Sequence, residues 1–201
     1  MLRKRLARPL PVLTAVVVLA IAVLVLGQRL WNGEPYPAAD PDRTAARLKQ
    51  EAQRAHDEMA LPASAEAITN GVETTACSYR GLRSVTRVDG SLGQVRGFRL
   101  AWRVTDVPRD TALAGQKRVR ERLVREGWRL RDENVSGTGF RFERSAAGHR
   151  IDVAWYEPTG TLAVTAHAPC GKLPDGFDDH AWPESAWSPV GEARGAPASA
   201  S

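Results

Sequence analysis

The sequence lacks the residue patterns that mark the common enzyme and nucleotide-binding sites. It has no Gly-x-Ser-x-Gly string of a nucleophile elbow. Its densest glycine cluster, at 90–97, does not open a helical pattern as a phosphate-binding loop would. We therefore predict a protein that is not an enzyme and needs no cofactor.

Metal ligands are also sparse, because no two histidines are paired at ligand spacing along a helix. His149 and His167 lie on segments that a sheet can bring together, which leaves a surface metal site as a minor alternative. The Asp178-Asp179-His180 triplet is the other oxygen-rich string, and it falls in a polar tail that is a poor scaffold for fixed ligand geometry. We predict no metal site.

Acidic residues are absent before Glu34, and the stretch without them contains a long apolar run. Residues 10–26 are Val, Leu, Ile or Ala except for Pro11 and Thr14. Extended to Trp31, the run is long enough to cross a hydrocarbon core of about 30 Å as a helix. Four basic residues lie in 1–9. Because such residues stay on the cytoplasmic side, we predict a cytoplasmic N-terminus, an anchor at 10–31 and an extracytoplasmic remainder.

A cleaved signal peptide is the alternative, since it too has a basic start and an apolar stretch. The Gly-Gln-Arg-Leu-Trp-Asn-Gly sequence that follows Leu26 has no small residues spaced like Ala-x-Ala. This favours an uncleaved anchor in the cell membrane. With cleavage, the protein would be secreted.

The net charge of +5 comes from the anchor region. Residues 1–31 hold five basic residues and no acids, so the other 23 basic and 23 acidic residues cancel. Nucleic acid is therefore not an expected partner. Residues 95–150 nevertheless carry 14 basic residues against seven acidic ones, and a basic face attracts anionic partners through its long-range potential. A solvated arginine-rich surface remains the plainer interpretation.

Cys77 and Cys170 are the only cysteines. In an oxidising compartment two such thiols pair, and closing a loop of this length contributes about 4 kcal/mol in the chain-entropy model. The spacing does not match the Cys-x-x-Cys of a redox site. We predict a disulfide that closes a domain at 77–170.

Residues 32–76 read as a spacer, a helix and a linker. Asp42 is a candidate N-cap, and Ala45, Leu48 and Ala52 begin a narrow apolar stripe that ends before Pro62. The helix is interpreted as a stalk, with weak self-association through a short coiled-coil seam as the alternative. Residues 63–75 are interpreted as the linker.

The fold class is predicted from alternating strands around one helix. Residues 95–107 alternate cleanly, with apolar Phe98, Leu100, Trp102 and Val104 on one face, and 82–88 is a weaker strand that pairs with them as a hairpin. A helix follows Pro108 and ends at Gly127. Strands at 140–142, 151–155 and 162–166 come next, with an additional short element at Trp128. The prediction is a two-layer α+β domain of order β-β-α-β-β-β, in which one antiparallel sheet packs on one helix.

Two binding sites are candidates in this domain. Arg99 and Arg103 share the polar face of the strand at 95–107, where they would bind an envelope protein, a lipid headgroup or a wall polymer. Alternatively, Trp102, Phe140 and Trp155 line a small-ligand or sensory pocket between helix and sheet; by default these aromatic residues form the core. A filled core with an exposed basic patch would favour the first hypothesis.

Residues 171–201 are rich in proline and small residues and are predicted to be largely disordered. Trp182 and Trp187 are unusual in such a tail. Either they fold back onto the domain or they form a docking motif for another protein.

The layout resembles that of uncharacterised membrane-tethered or lipoprotein-like extracytoplasmic proteins of actinobacteria. The resemblance is carried by the basic N-terminus, the Val, Ala and Leu anchor, Leu-Val-Arg-Glu-Gly-Trp at 123–128 and Ala-Pro-Cys at 168–170. The chain departs from the lipoprotein members because it has no lipobox cysteine. The shared motifs are structural, so the resemblance assigns no functional residue.

Overall fold

The computed structural model describes residues 10–62, 65–88, 90–133, 138–144 and 148–178. Two units are distinguished, one formed by residues up to Tyr36 with Cys77–Leu92, the other by Pro37–Ala76 with residues from Gly93 onward. The elements in chain order are α1 (Leu10–Asn32), α2 (Pro41–Met59), β1 (Ile68–Ser78), α3 (Arg83–Thr86), β2 (Ser91–Val104), α4 (Arg109–Arg125), β3 (Arg129–Asp132), β4 (Thr138–Arg144), β5 (His149–Tyr156), a 3-10 turn (Glu157–Thr159) and β6 (Thr161–Lys172).

The first unit contains α1, a helix long and apolar enough to cross a membrane. Its candidate span, Thr14–Asn32, has a mean hydropathy of 2.0, and no residue of that window is buried. A signal sequence near an N-terminus passes the same test. The predicted apolar N-terminal helix is confirmed, and residues 1–9 lie outside the described part of the chain.

The second unit is built on a six-stranded sheet of order β1-β2-β6-β5-β4-β3. The pairs β2 with β6, β6 with β5, β5 with β4 and β4 with β3 are antiparallel. Apolar residues of α2 and α4 join one face of the sheet in a single core cluster. The predicted α+β class with an antiparallel sheet is confirmed, with two helices on the sheet where one was expected.

The interpretation of α2 as a stalk is wrong, because its apolar stripe is buried in this core. Leu48 is 1% exposed, and Ala45 and Met59 are fully buried. Alanine exposes little area but lets a helix approach its neighbours closely, and α2 packs against both β6 and α4. The N-cap is Asp40, whose Oδ1 accepts from the amide of Arg43 at 3.0 Å, and not Asp42.

The first predicted strand and the predicted linker are also wrong. Residues 82–88 contain the short helix α3, whereas β1 runs through most of the stretch assigned to the linker. Leu82, Val85 and Val88 are exposed, so their spacing does not mark a buried strand face. The Thr-rich β1 lies at an edge of the sheet.

The helix after Pro108 is found as α4, and Gly127 follows it with φ +79°. The amide of Trp128 donates to the carbonyl of Leu123 at 2.9 Å. This is the left-handed glycine stop that the sequence indicated. The additional short element after Trp128 is β3.

Both cysteines, Cys77 and Cys170, are disulfide-bonded as predicted. The predicted start of the disordered tail at residue 171 is wrong. β6 continues to Lys172, and Leu173, 7% exposed, belongs to the core cluster. The amide of Leu173 donates to the carbonyl of Gln94 at 2.8 Å. Trp182 and Trp187 lie outside the described residues.

Candidate functional site

One face of the sheet carries the polar residues, and it is the face opposite the core cluster. Strand alternation sends every second residue there, and the pairing register aligns these residues across four strands. We call this surface the open face. It comprises Arg99, Ala101 and Arg103 on β2, Ala163, Thr165 and His167 on β6, Arg150, Asp152 and Ala154 on β5, and Gly139, Arg141 and Glu143 on β4.

Arg99 and Arg103 both lie on this surface, as their two-residue period required, but they are bonded differently. Both Nε and Nη2 of Arg99 donate to one carboxylate oxygen of Glu73 on β1, at 2.9 and 2.7 Å. Arg103 is exposed and makes no ion pair with any residue in the described part of the chain. Arg99 is therefore fixed and partly neutralised, whereas Arg103 is available to an external anion.

The centre of the open face is a charge cluster around Asp152. Nε of Arg141 donates to one of its oxygens at 2.8 Å, and Nη2 of the same arginine donates to the other at 3.2 Å. Nε of Arg150 and Nε2 of His167 lie 3.4 and 3.5 Å from the second oxygen. Two guanidinium groups and the imidazole of His167 thus share one carboxylate, and the two arginines alone exceed its charge by one.

These contacts control the ionisation of Asp152. Burial by itself raises the pKa of this carboxyl, but hydrogen bonds from His167 and Arg141, with the charges of Arg150 and Arg141, outweigh it and lower the pKa to about 2. The carboxylate stays ionised at any ordinary pH. In the opposite direction, its hydrogen bond and charge raise the pKa of Arg141.

His167 has two possible partners for the same nitrogen. Its Nε2 lies 2.9 Å from Nη2 of Arg150 and 3.5 Å from Oδ2 of Asp152. Neutral imidazole with the proton on Nδ1 accepts from Arg150, whereas the imidazolium has only a donor to offer and must turn to Asp152. The sequence could not reveal this cluster, because it depends on the register between β5 and β6.

A shallow depression of about 150 Å³ lies on the open face beside Arg103. Its floor includes the small residues Ala101, Ala163 and Thr165. Short side chains leave the backbone of the sheet close to the surface, so an extended chain can lie flat here next to the arginine.

A second basic surface runs along α2. A cavity of about 250 Å³ is lined by Arg43, Thr44, Arg47 and His149, and a neighbouring one of about 260 Å³ shares Arg47 and His149. Nη1 of Arg47 lies 3.2 Å from Nε2 of His149. Burial, followed by the charge of Arg47, lowers the pKa of His149, so the ring is neutral and accepts from the guanidinium. Of these residues, only His149 was singled out from the sequence, as a candidate metal ligand.

The three aromatic residues proposed to line a ligand pocket are buried in the core cluster. Trp102 is 1% exposed, and Phe140 and Trp155 are each 4% exposed. The indole of Trp155 donates to the carbonyl of Val107 at 3.1 Å, and Phe140 packs edge-on against Phe142 at 5.4 Å. Their burial favours a packed core over a ligand pocket.

His149 and His167 are brought close in the sheet, since Arg150 pairs with His167. Within the described residues, no group of three or more His, Cys, Asp or Glu side chains is placed to hold a metal ion. Of the Asp178-Asp179-His180 triplet, only Asp178 falls in that part.

No protein-family model, no curated protein and no solved structure matches this chain. The geometry of the open face is therefore the basis for assigning a function.

Proposed function

We propose that this chain is a single-pass membrane protein whose extracytoplasmic domain binds an anionic partner of the cell envelope without catalysing a reaction. The N-terminus is cytoplasmic in this proposal, α1 is the anchor, and the domain formed by α2, α4 and the sheet is presented outside. The basic residues before α1 support this orientation.

The observation that carries the binding proposal is the excess positive charge of the open face. Asp152 is shared by Arg141, Arg150 and His167, and Arg103 has no carboxylate partner among the described residues. A ligand carrying carboxylates or phosphates would pair with Arg103 directly and with the cluster through its long-range field.

The shape of this surface favours a polymer over a compact molecule. Arg99 and Arg103 are four residues apart on one strand, which places them about 13 Å from each other along β2. The depression beside Arg103 is shallow, and its floor is made of small side chains. A wall polymer with repeated negative charges can pair with Arg103 and extend across the positive field of Arg99 and the Asp152 cluster, whereas a small ligand finds no enclosing cavity there.

The experiment that tests this function measures polymer binding by the full chain in nanodiscs of zwitterionic lipid. Purified anionic wall polymer is titrated into the sample, and the fraction bound is measured by co-sedimentation at several salt concentrations. We expect binding that weakens as salt increases, because exposed charges are screened.

The decisive variant is Arg103→Gln, with Arg125→Gln as its control. Arg125 is exposed at the end of α4, away from the open face. Loss of one exposed ion pair of about 0.5 to 1 kcal/mol predicts binding about two- to fivefold weaker for Arg103→Gln. Arg125→Gln should bind like the unmodified chain. Equal affinities for all three proteins would contradict the proposal.

A further inference from the structure

The first unit carries an exposed apolar and basic surface directly beside the end of α1. Leu82, Val85 and Val88 are 56%, 73% and 75% exposed. Arg80, Arg83 and Arg87 accompany them in the same stretch, which we call the 80–88 segment. Exposed apolar side chains next to arginines are typical of a surface that lies in a membrane interface.

This segment is attached to α1 by backbone contacts. The amide of Leu82 donates to the carbonyl of Leu30 at 3.0 Å. That carbonyl lies in the last turn of α1, where helix carbonyls have no partner within the helix. The 80–88 segment therefore gives the carbonyl of Leu30 a donor that the helix itself does not supply.

Two glycines make the close approach possible. A Cβ at Gly81 would lie 2.4 Å from the amide nitrogen of Gly33, and a Cβ at Gly33 would lie 2.5 Å from Cβ of Arg80. Both glycines have positive φ, +63° and +70°. No other residue type fits either position without moving the backbone.

Arg80 also fixes the segment to the residues that follow α1. Its Nη1 donates to the carbonyls of Glu34 and Pro35 at 3.3 and 3.4 Å, and its guanidinium lies 3.8 Å above the ring of Tyr36. The hydroxyl of Tyr36 donates to the carbonyl of Ser78 at 2.7 Å. The segment is thus held at one level along α1, that of its last turn.

That level is the membrane surface if α1 spans the bilayer. The candidate span ends at Asn32, so the carbonyl of Leu30 lies at the boundary between hydrocarbon and headgroups. Leu82 and Val85 are three residues apart around the turn of α3 and can enter the lipid together. Arg83 and Arg87 lie over the ring of Tyr79, at 4.4 and 5.7 Å from its centroid, where their charges can meet lipid phosphates.

We propose that the 80–88 segment docks on the outer leaflet of the bilayer that α1 crosses, with Leu82, Val85 and Val88 in the interface and Arg83 and Arg87 on anionic headgroups. This inference depends on the membrane span of the proposed function but not on polymer binding. It adds a second lipid contact that orients the first unit at the surface.

The test places a nitroxide label on a single added cysteine of the full chain in vesicles of phosphatidylcholine and phosphatidylglycerol. The native cysteines stay paired because labelling is done without a reductant. The labelled variants are Val85→Cys in the segment, Ala20→Cys in α1 as the control for the span, and Lys117→Cys on α4 as the aqueous control. All three positions are exposed, so the fold tolerates the label.

Power saturation then compares collisions with oxygen, which is concentrated in lipid, and with a nickel chelate, which stays in water. We expect position 85 to be protected from the chelate, as position 20 is, while position 117 is accessible to it. Accessibility at position 85 equal to that at 117, with position 20 still protected, would overturn the docking proposal and leave the span intact. Accessibility at position 20 would overturn both.

The contribution of the arginines is tested with the same label at position 85. Replacing phosphatidylglycerol by phosphatidylcholine, or introducing Arg83→Gln with Arg87→Gln, should increase chelate accessibility there. Unchanged accessibility in both cases would overturn the headgroup part of the proposal.

Discussion

The helix-covered face of the sheet and its open face are formed by alternate residues of the same strands, yet they differ in burial, polarity and packing. On β2, Leu100 and Trp102 are at most 1% exposed, whereas Arg99 and Arg103, which flank them in the sequence, are exposed to solvent. The covered face is apolar and closely packed by α2 and α4. The open face combines charges with small residues. The covered side of each strand therefore supplies most of the stability. Residues on the open side contribute less to it and can serve binding.

Removing a large side chain from the covered face should cause the largest loss of stability. Trp102→Ala should lower the free energy of unfolding by about 3 to 5 kcal/mol, because it leaves a cavity in the core. The adjacent open-face change Ala101→Ser should alter it by less than about 0.5 kcal/mol. Chemical denaturation of both variants measures the difference, and similar losses would mean that the two faces contribute alike.

The second prediction concerns the close contact between the two covering helices, α2 and α4. Gly115 on α4 is buried at the contact with α2, and a Cβ there would lie 3.2 Å from the carbonyl oxygen of Met59. Gly115→Leu should therefore destabilise the domain by about 1 to 3 kcal/mol through overpacking. Ala114→Leu, at the exposed neighbouring position, is the matched control. A Gly115→Leu variant as stable as Ala114→Leu would show that the helices do not need this close approach.

Acid should lower the free energy of unfolding through the protonation of Asp152 on the open face. Its pKa is about 2 when folded and about 3.9 when unfolded, so the stabilisation is complete above the unfolded value and disappears as the pH falls through the folded value. The contribution is on the order of 2 kcal/mol at neutral pH. Asp152→Asn should lose this amount at pH 7 and lose little further between pH 4 and 2.

Denaturant unfolding at pH 7, 4 and 2 measures this dependence. Asp175→Asn, at an exposed position outside the cluster, is the control and should follow the unmodified chain. If Asp152→Asn showed the same acid dependence as that control, the cluster would contribute nothing to stability.

The smallest expected effect on stability comes from Arg103→Gln. The side chain is exposed and has no ion-pair partner in the described part of the chain, so the unfolding free energy should change by less than about 0.5 kcal/mol. Thermal unfolding measures this change. A larger loss would mean that Arg103 supports the fold, and its effect on polymer binding could no longer be assigned to the ligand contact.

Some of the fold could be predicted from local patterns. β2 alternates over many residues, and α4 begins after Pro108 and stops shortly before Gly127, so both were identified near their true bounds. β1 was missed because Thr and Gly replace the bulky residues that reveal a strand. The 82–88 stretch was assigned to a strand because its apolar spacing fits a two-residue period, although those side chains are exposed.

The stalk interpretation of α2 failed for a different reason. A narrow stripe of alanines exposes little area in an isolated helix, and only the partners beside it determine whether that stripe is buried. Here β6 and α4 supply those partners, and both are distant in sequence. Helix packing of this kind is a tertiary property that periodicity alone does not reveal.

The candidate site was predictable to the same limited extent. Strand alternation placed Arg99 and Arg103 on one face, which the structure reproduces. The pairing of Arg99 with Glu73 needs the neighbouring β1, and the cluster around Asp152 needs the registers of three strands. These contacts depend on pairings between segments that the sequence does not specify locally.

The position of β6 determines when this domain can assemble during synthesis. It is the last strand of the described chain, yet it lies third in the sheet, between β2 and β5. Before residues 161–172 are synthesised, no strand joins the β1–β2 pair to strands β3 to β5. The strand that α2 packs against is also missing. The nascent polypeptide therefore remains without its central ladder until translation has passed Lys172, and any chain released earlier would have two unpaired strand edges open to aggregation.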